Sequence, residues 1–103
     1  MPGKKNIANN SDAVIIHAII ARPDGEEPFV YAREIPDIIC LGATVEIALS
    51  SFYKELYDYA QEYDENYSNA PNRKEHLPYI KKILALGSPD RVSDMVVCID
   101  GKE

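Results

Sequence analysis

The stretch from Gly42 to Tyr63, which reads GATVEIALSSFYKELYDYAQEY, decides the fold. Its apolar residues recur at spacings of three and four, which indicates an amphipathic helix with one buried face. Thr44 suits the N-cap, and Glu46 stands in the first turn, where a carboxylate favours the helix dipole. The stretch therefore predicts a helix of about five to six turns. Its apolar positions are Val45, Leu49, Phe52, Leu56, Tyr59 or Ala60, and Tyr63.

A β-hairpin is predicted before this helix. Ala13–Ala21 is a run rich in β-branched residues, and Phe29–Ile35 follows it after the turn signal Arg22–Glu26. The next segment, Ile38–Leu41, is either a third strand or a connection that crosses the core. Because the first strand is apolar on both faces, it should be central and covered on both sides. A chain this small has few elements for that cover, which predicts a homodimer or a larger oligomer.

After the long helix, the breaker residues Asn69–Asn72 end the pattern. A shorter helix is predicted over Pro78–Leu86, with Gly87 beyond its end. A turn is predicted at Ser88-Pro89-Asp90, followed by a last strand over Met95–Ile99. The order β-β-(β)-α-α-β predicts an α+β fold. Its sheet of three or four mainly antiparallel strands is packed by one long and one short helix. We expect residues 1–12 to form a flexible tail and residues 13–103 to form a single domain.

The charge of the chain is concentrated in its middle. The formal net charge is −6, and residues 44–69 contain six acidic residues but only one basic residue, Lys54. This balance argues against direct nucleic-acid binding and favours a protein partner with a basic surface. No secretory signal or membrane-length apolar run is present in the sequence, so we expect a cytoplasmic protein. Cys40 and Cys98 are expected to be buried free thiols, with a disulfide or redox pair as the alternative.

Part of the sequence resembles a known family. Bacterial HicB-type antitoxins have a β-hairpin, a Pro-Asp dipeptide and a Gly-x-Thr-x-Glu-x-Ala-Leu signature that opens the first helix. The matching residues here are Pro36 and Asp37, followed by Gly42, Thr44, Glu46, Ala48 and Leu49. The resemblance extends from Val14 to about Ala60 and implies a small inhibitory binding protein. The segment Ile38–Cys40 departs from the family pattern, and the C-terminus does not resemble the family's DNA-binding module.

An acidic row is the first candidate site. Glu55, Asp58, Glu62 and Glu65 follow one another at spacings of three and four, so they form one line about 15 Å long on the helix. Like charges at these spacings repel, and anions are disfavoured near a helix C-terminus. The row is either a solvated face or a surface that docks on a basic partner. An antitoxin-like or anti-defence inhibitor would use it in the second way.

Tyrosines on the same helix are the second candidate. Tyr59, Tyr63 and Tyr67 lie at positions i, i+4 and i+8, and Tyr53 and Tyr57 form another pair. Tyrosine combines apolar area with a hydrogen-bonding tip, which suits both core packing and a protein interface. The sequence leaves both roles open.

An anion site is the alternative binding hypothesis. Arg22, Arg33, Arg73 and Arg91 could meet in an oligomer that sequesters an anionic, nucleotide-like small molecule. We expect no metal site or cofactor, because neither histidine has further ligands at metal spacing. His17 is expected to be a satisfied structural histidine and His76 a solvated one. No catalytic motif stands out, and an uncharacterised small enzyme is the remaining alternative.

Overall fold

The computed structural model describes residues 14–66 and 71–101, with side chains described for residues 14–63 and 74–101. The elements follow the predicted order. They are β1 (Ile16–Ala21), β2 (Phe29–Ala32), β3 (Ile39–Leu41), α1 (Val45–Asn66), a first 3₁₀ segment (Pro71–His76), α2 (Leu77–Leu86), a second 3₁₀ segment (Pro89–Met95) and β4 (Val96–Asp100). The predicted tail at residues 1–12 lies outside the described residues.

The four strands form one mixed sheet in the order β3-β2-β1-β4. β1 pairs antiparallel with β2, and β2 pairs antiparallel with β3, whereas β4 runs parallel to β1. In the hairpin turn, Gly25 has φ of 76°, a left-handed conformation that glycine adopts without strain. β1 is therefore a central strand, and the predicted α+β class with a mainly antiparallel sheet is confirmed.

Helix α1 starts where its sequence signals predict. The Thr44 hydroxyl accepts a hydrogen bond from the backbone N–H of Ile47 at 3.2 Å, which satisfies one of the free donors at the helix N-terminus. Gly42 is buried against the first turn, and a Cβ at that position would lie 2.5 Å from the backbone nitrogen of Ala48. The glycine of this signature thus has a steric cause, and its threonine has a hydrogen-bonding one.

The core lies between one face of the sheet and the helical layer. Residues of β1 and β2 that point toward the helices alternate with residues that point away, as a pleated strand requires. The helical layer adds apolar side chains from α1, α2 and the second 3₁₀ segment. The principal members are Ile16, Ala18, Ile20, Val30, Ala32, Phe52, Leu56, Tyr63, Ile83, Val92 and Met95.

The opposite face of the sheet carries no element of the described chain. We call this surface the open face. Strand alternation and register place there Ile19, Ala21, Phe29, Tyr31, Ile39, Leu41, Val97 and Ile99, with His17 at one end. The sequence predicted that both apolar faces of β1 would be covered. Within the described residues, the helical layer covers one of these faces.

The second 3₁₀ segment was predicted only as a turn at Ser88-Pro89-Asp90. Ser88 caps this segment by accepting a hydrogen bond from the Asp90 N–H at 3.2 Å. Val92 and Met95 are fully buried and pack beneath α1. The segment therefore contributes to the core, which a turn would not do.

Two burial expectations were wrong. His76, expected to be solvated, is 7% exposed, because its ring packs against Tyr59 at the N-terminal end of α2. Cys98, expected to be buried, is exposed because β4 is an edge strand, and Cys40 is partly buried. The two cysteines lie on opposite edge strands, three strand spacings or about 14 Å apart. A disulfide requires Cα atoms within about 7 Å, so the two cannot pair within one chain.

Candidate functional site

The exposed side of α1 carries the predicted acidic row. Glu55 and Glu62 are exposed, and Asp58 is half-exposed; we call these three residues the acidic flank. Glu65 belongs to α1, but its side chain lies outside the described part. Lys54 forms an i,i+4 ion pair with Asp58 at 3.5 Å, and both side chains are well exposed. An exposed pair of this kind contributes a few tenths of a kcal/mol, so a partner's cation can displace the lysine.

The acidic flank lies beside the β3 edge of the sheet. Burial raises the pKa of the Cys40 thiol, and the nearby Glu55 carboxylate raises this pKa further. Cys40 belongs to the edge strand β3, so Glu55 stands where the helix layer meets that edge. The flank is therefore on the outer side of the helical layer, open to an approaching partner.

The tyrosine row of α1 is part of the core where it is described. Tyr59 is 8% exposed and Tyr63 is 2% exposed, whereas Tyr67 lies outside the described residues. The Tyr59 hydroxyl is 2.7 Å from Nδ1 of His76, and its ring meets the rings of Tyr63 and His76 edge-on. These contacts hold α1 against the start of α2. The two rings are not available as a contact surface in this conformation.

The other tyrosine pair occupies the opposite flank of α1. Tyr53 is half-buried, and its hydroxyl lies 3.8 Å from Sγ of Cys98 on β4. Burial raises the pKa of Tyr53 to about 12, and the contact with Cys98 acts in the same direction. Tyr57 is also half-buried. This flank therefore connects the helix to the β4 edge.

The described arginines do not converge on one site. Arg22 pairs with Asp100 at 2.6 Å, and Arg91 pairs with Asp94 at 3.2 Å. Arg33 follows Ala32, which pairs with Ala18 in the first half of β1, whereas Arg22 follows the last residue of β1. The two arginines therefore lie at opposite ends of the hairpin. The Arg73 side chain lies outside the described part. Within one chain the described arginines thus stand apart, and the alternative anion site, which the sequence analysis places in an oligomer, stays a prediction.

Sequence reasoning missed an open cleft of about 480 Å³ between the β2–β3 turn and the start of α2. Tyr79 lies in it, and the pKa of Tyr79 is raised by burial and by Glu34, with Arg33 acting against them. Glu34 also accepts a hydrogen bond from the backbone N–H of His17 at 2.8 Å and contacts the His17 ring. His17 is thus a satisfied histidine, as predicted. The cleft is lined by Arg33, Glu34, Pro36, Asp37, Glu75, His76 and Tyr79.

Within residues 14–66 and 71–101, no group of three or more His, Cys, Asp and Glu side chains is arranged to hold a metal ion. The helices of those ranges are also too short or too polar to cross a bilayer.

Comparison with known proteins identifies the class. Residues 14–98 match the model of a PHD-like family, described as the antitoxin of the RelE/RelB toxin–antitoxin system. A crystal structure of a protein from Syntrophomonas wolfei subsp. wolfei, described as an antitoxin, superimposes with a TM-score of 0.75 and 27% identity. The alignment covers 93% of this chain and 70% of that one. Among curated proteins, none matched.

The fold and these matches thus define the class as the antitoxins of toxin–antitoxin systems. Since the family model matches most of the chain, the protein belongs to the PHD-like antitoxin family of the RelE/RelB system. The antitoxin character expected from the N-terminal half is confirmed. The matches do not extend to the HicB type in particular, which stays a prediction.

Proposed function

We propose that the protein is a non-enzymatic antitoxin that binds a RelE-type toxin by placing the acidic flank of α1 against a basic surface of that toxin. The observation that carries the proposal is the exposure of Glu55 and Glu62. Neither has an ion pair with another described side chain. An exposed carboxylate without an ion pair can bind a cationic group of a partner, and no ion pair within the chain has to break first.

Charge also supports the proposal through the kinetics of association. A net charge of −6, concentrated on one helix, produces a directional field that speeds the encounter with a basic surface. The buried tyrosines have a structural part in this scheme, since they fix the orientation of α1. We place the encounter in the cytoplasm. A role against host defence enzymes, and an anionic small molecule as the ligand, stay predictions.

The test is a charge reversal with a matched control. Glu55→Lys with Glu62→Lys changes the net charge by four and should weaken binding of the purified RelE-type toxin about tenfold or more, mainly through the on-rate. Glu26→Lys with Glu27→Lys makes the same change at the exposed hairpin turn. This control should shift the affinity by less than about threefold. Titration calorimetry gives the affinity, and stopped-flow mixing gives the rate.

Equal losses for the two double variants would mean that net charge alone acts, and the acidic flank would not be the contact surface. Unchanged affinity in both double variants would show that these charges do not contribute to docking. The family membership would stand in either case.

A further inference from the structure

We propose that the cleft between the β2–β3 turn and the start of α2 is a pocket for one arginine side chain of a protein partner. The inference rests on the proposed function in one respect, which is that the partner has a basic surface. It assigns to the cleft a contact that is separate from the acidic flank, and its test uses the protein without a toxin.

The walls of the cleft are held in place by contacts within the chain. On the turn side, the Glu34 carboxylate accepts a hydrogen bond at 2.8 Å from the backbone N–H of His17, at one end of the open face. On the helix side, His76 is 7% exposed, and its Nδ1 lies 2.7 Å from the Tyr59 hydroxyl. A pocket whose walls are already ordered binds a side chain with little entropic cost of its own.

The cleft has the size of a side-chain pocket. Its volume is about 480 Å³, and it is open to solvent. Cavities that hold small molecules start at about 300 Å³, so this one admits a single long side chain but no folded element. We therefore expect the occupant to project from the partner's surface into the cleft.

Carboxylates outnumber cations in the lining, where Glu34, Asp37 and Glu75 stand against the guanidinium of Arg33. Nε of Arg33 lies 3.7 Å from Glu34, and 58% of the Arg33 side chain is exposed, so solvent screens its charge. Glu75 is exposed, and no ion pair joins it to another described side chain. A cation that enters the cleft therefore gains the Glu75 carboxylate, whereas an anion meets an excess of negative charge.

Tyr79 selects between the two basic side chains. Its ring packs against the core and also lines the cleft. The planar guanidinium of arginine stacks on aromatic rings and donates two parallel hydrogen bonds to a carboxylate, whereas lysine offers a strongly hydrated point charge. An aromatic ring and a carboxylate in one cleft, here Tyr79 and Glu75, therefore favour arginine.

The cleft borders the acidic flank. Tyr59 of α1 contacts His76 in the cleft wall, and Glu62 follows Tyr59 by three residues, about 60° around the helix. A basic surface that docks on the flank therefore lies next to the cleft, where one of its arginines can enter.

A peptide titration followed by ¹H–¹⁵N NMR of the labelled protein, at about 0.15 M salt, tests the inference. The peptide acetyl-Gly-Gly-Arg-Gly-Gly-amide should shift the amide signals of the cleft residues, with a dissociation constant of about 1–10 mM. The same peptide with citrulline, the neutral isostere of arginine, should bind at least about tenfold more weakly. A lysine peptide should bind at least about threefold more weakly than the arginine peptide.

Two substitutions test the cleft residues, each with a matched control. Glu75→Gln should weaken binding of the arginine peptide about fivefold, whereas Glu55→Gln, the same change on the flank, should leave it within about twofold. Tyr79→Leu should weaken binding at least about threefold because the ring is lost, whereas Tyr79→Phe should retain it. Glu75 is exposed, so its variant should fold, and far-UV circular dichroism verifies both cleft variants.

Signals that shift along the acidic flank instead of the cleft would overturn the pocket. Equal affinities for the arginine peptide and either of the other two, or for the wild type and Glu75→Gln, would also overturn it. If the pocket failed while Glu55→Lys with Glu62→Lys still weakened toxin binding, the proposed function would stand. Peptide binding in the cleft without that effect on the toxin would support the pocket and overturn docking through the flank.

Discussion

Tyr59→Phe separates a core role for this residue from a contact role. The substitution keeps the buried ring and removes the hydroxyl that lies 2.7 Å from Nδ1 of His76. Both residues are more than nine-tenths buried, so water does not readily replace the lost bond. Losing a hydrogen bond between two buried polar groups costs about 1–3 kcal/mol. We therefore expect the free energy of unfolding to fall by about 2 kcal/mol, or the Tm by about 10 °C.

Urea unfolding followed by far-UV circular dichroism measures this change, and an unaltered m value would show that the denatured state is not affected. Tyr57→Phe is the matched control, since Tyr57 is half-buried on the other side of α1. It should change stability by no more than about 0.5 kcal/mol. Equal effects of the two substitutions would show that the Tyr59–His76 hydrogen bond does not stabilise the fold. If Tyr59→Phe lost toxin binding and kept its stability, Tyr59 would instead be a residue that contacts the toxin.

Three further predictions concern the thiols, a tyrosine and the glycines. Cys98 should react with iodoacetamide faster than Cys40, because Cys98 is exposed whereas burial and a nearby carboxylate raise the pKa of Cys40; peptide mass mapping measures both rates. The raised pKa of Tyr53 means that the fold favours its neutral phenol, so this stabilisation is present below pH 10 and is lost as the pH rises toward about 12. Tyr53→Phe should therefore flatten the alkaline decline of unfolding free energy. Gly87→Ala should lower the free energy of unfolding by about 1–2 kcal/mol, because φ is 83° there. Nothing lies within 4 Å of an added Cβ, so no steric clash adds to this cost. Gly42→Ala should cost more, since its Cβ would meet backbone at 2.5 Å, and urea midpoints rank the two.

The sequence predicted the fold well where one signal dominates. Helix α1 combines a cap at Thr44 with a long apolar periodicity, and the hairpin combines alternating strands with a turn containing Gly25. The second 3₁₀ segment was missed because Val92 and Met95 are its two buried residues, and they stand among polar neighbours after a proline. A pattern that short is also typical of a turn.

The candidate site could be predicted only in part, because spacing orders residues along a helix without fixing which side is buried. The acidic flank was found from its spacing, whereas Tyr59 and Tyr63 share the same spacing and belong to the core. The burial of His76 depends on a contact with Tyr59, which is 17 residues away in the chain. The exposure of Cys98 depends on β4 being an edge strand, and only the sheet order reveals that.

A titration of this protein with a RelE-type toxin at about 0.1 M and about 1 M salt tests most directly whether the acidic flank is the docking surface. Between these conditions the Debye length falls from about 10 Å to about 3 Å. Docking through the acidic flank predicts a stoichiometric complex at the lower salt, with an affinity that falls about tenfold or more at the higher salt. Absence of a complex at the lower salt, or an affinity indifferent to salt, would contradict docking through the acidic flank.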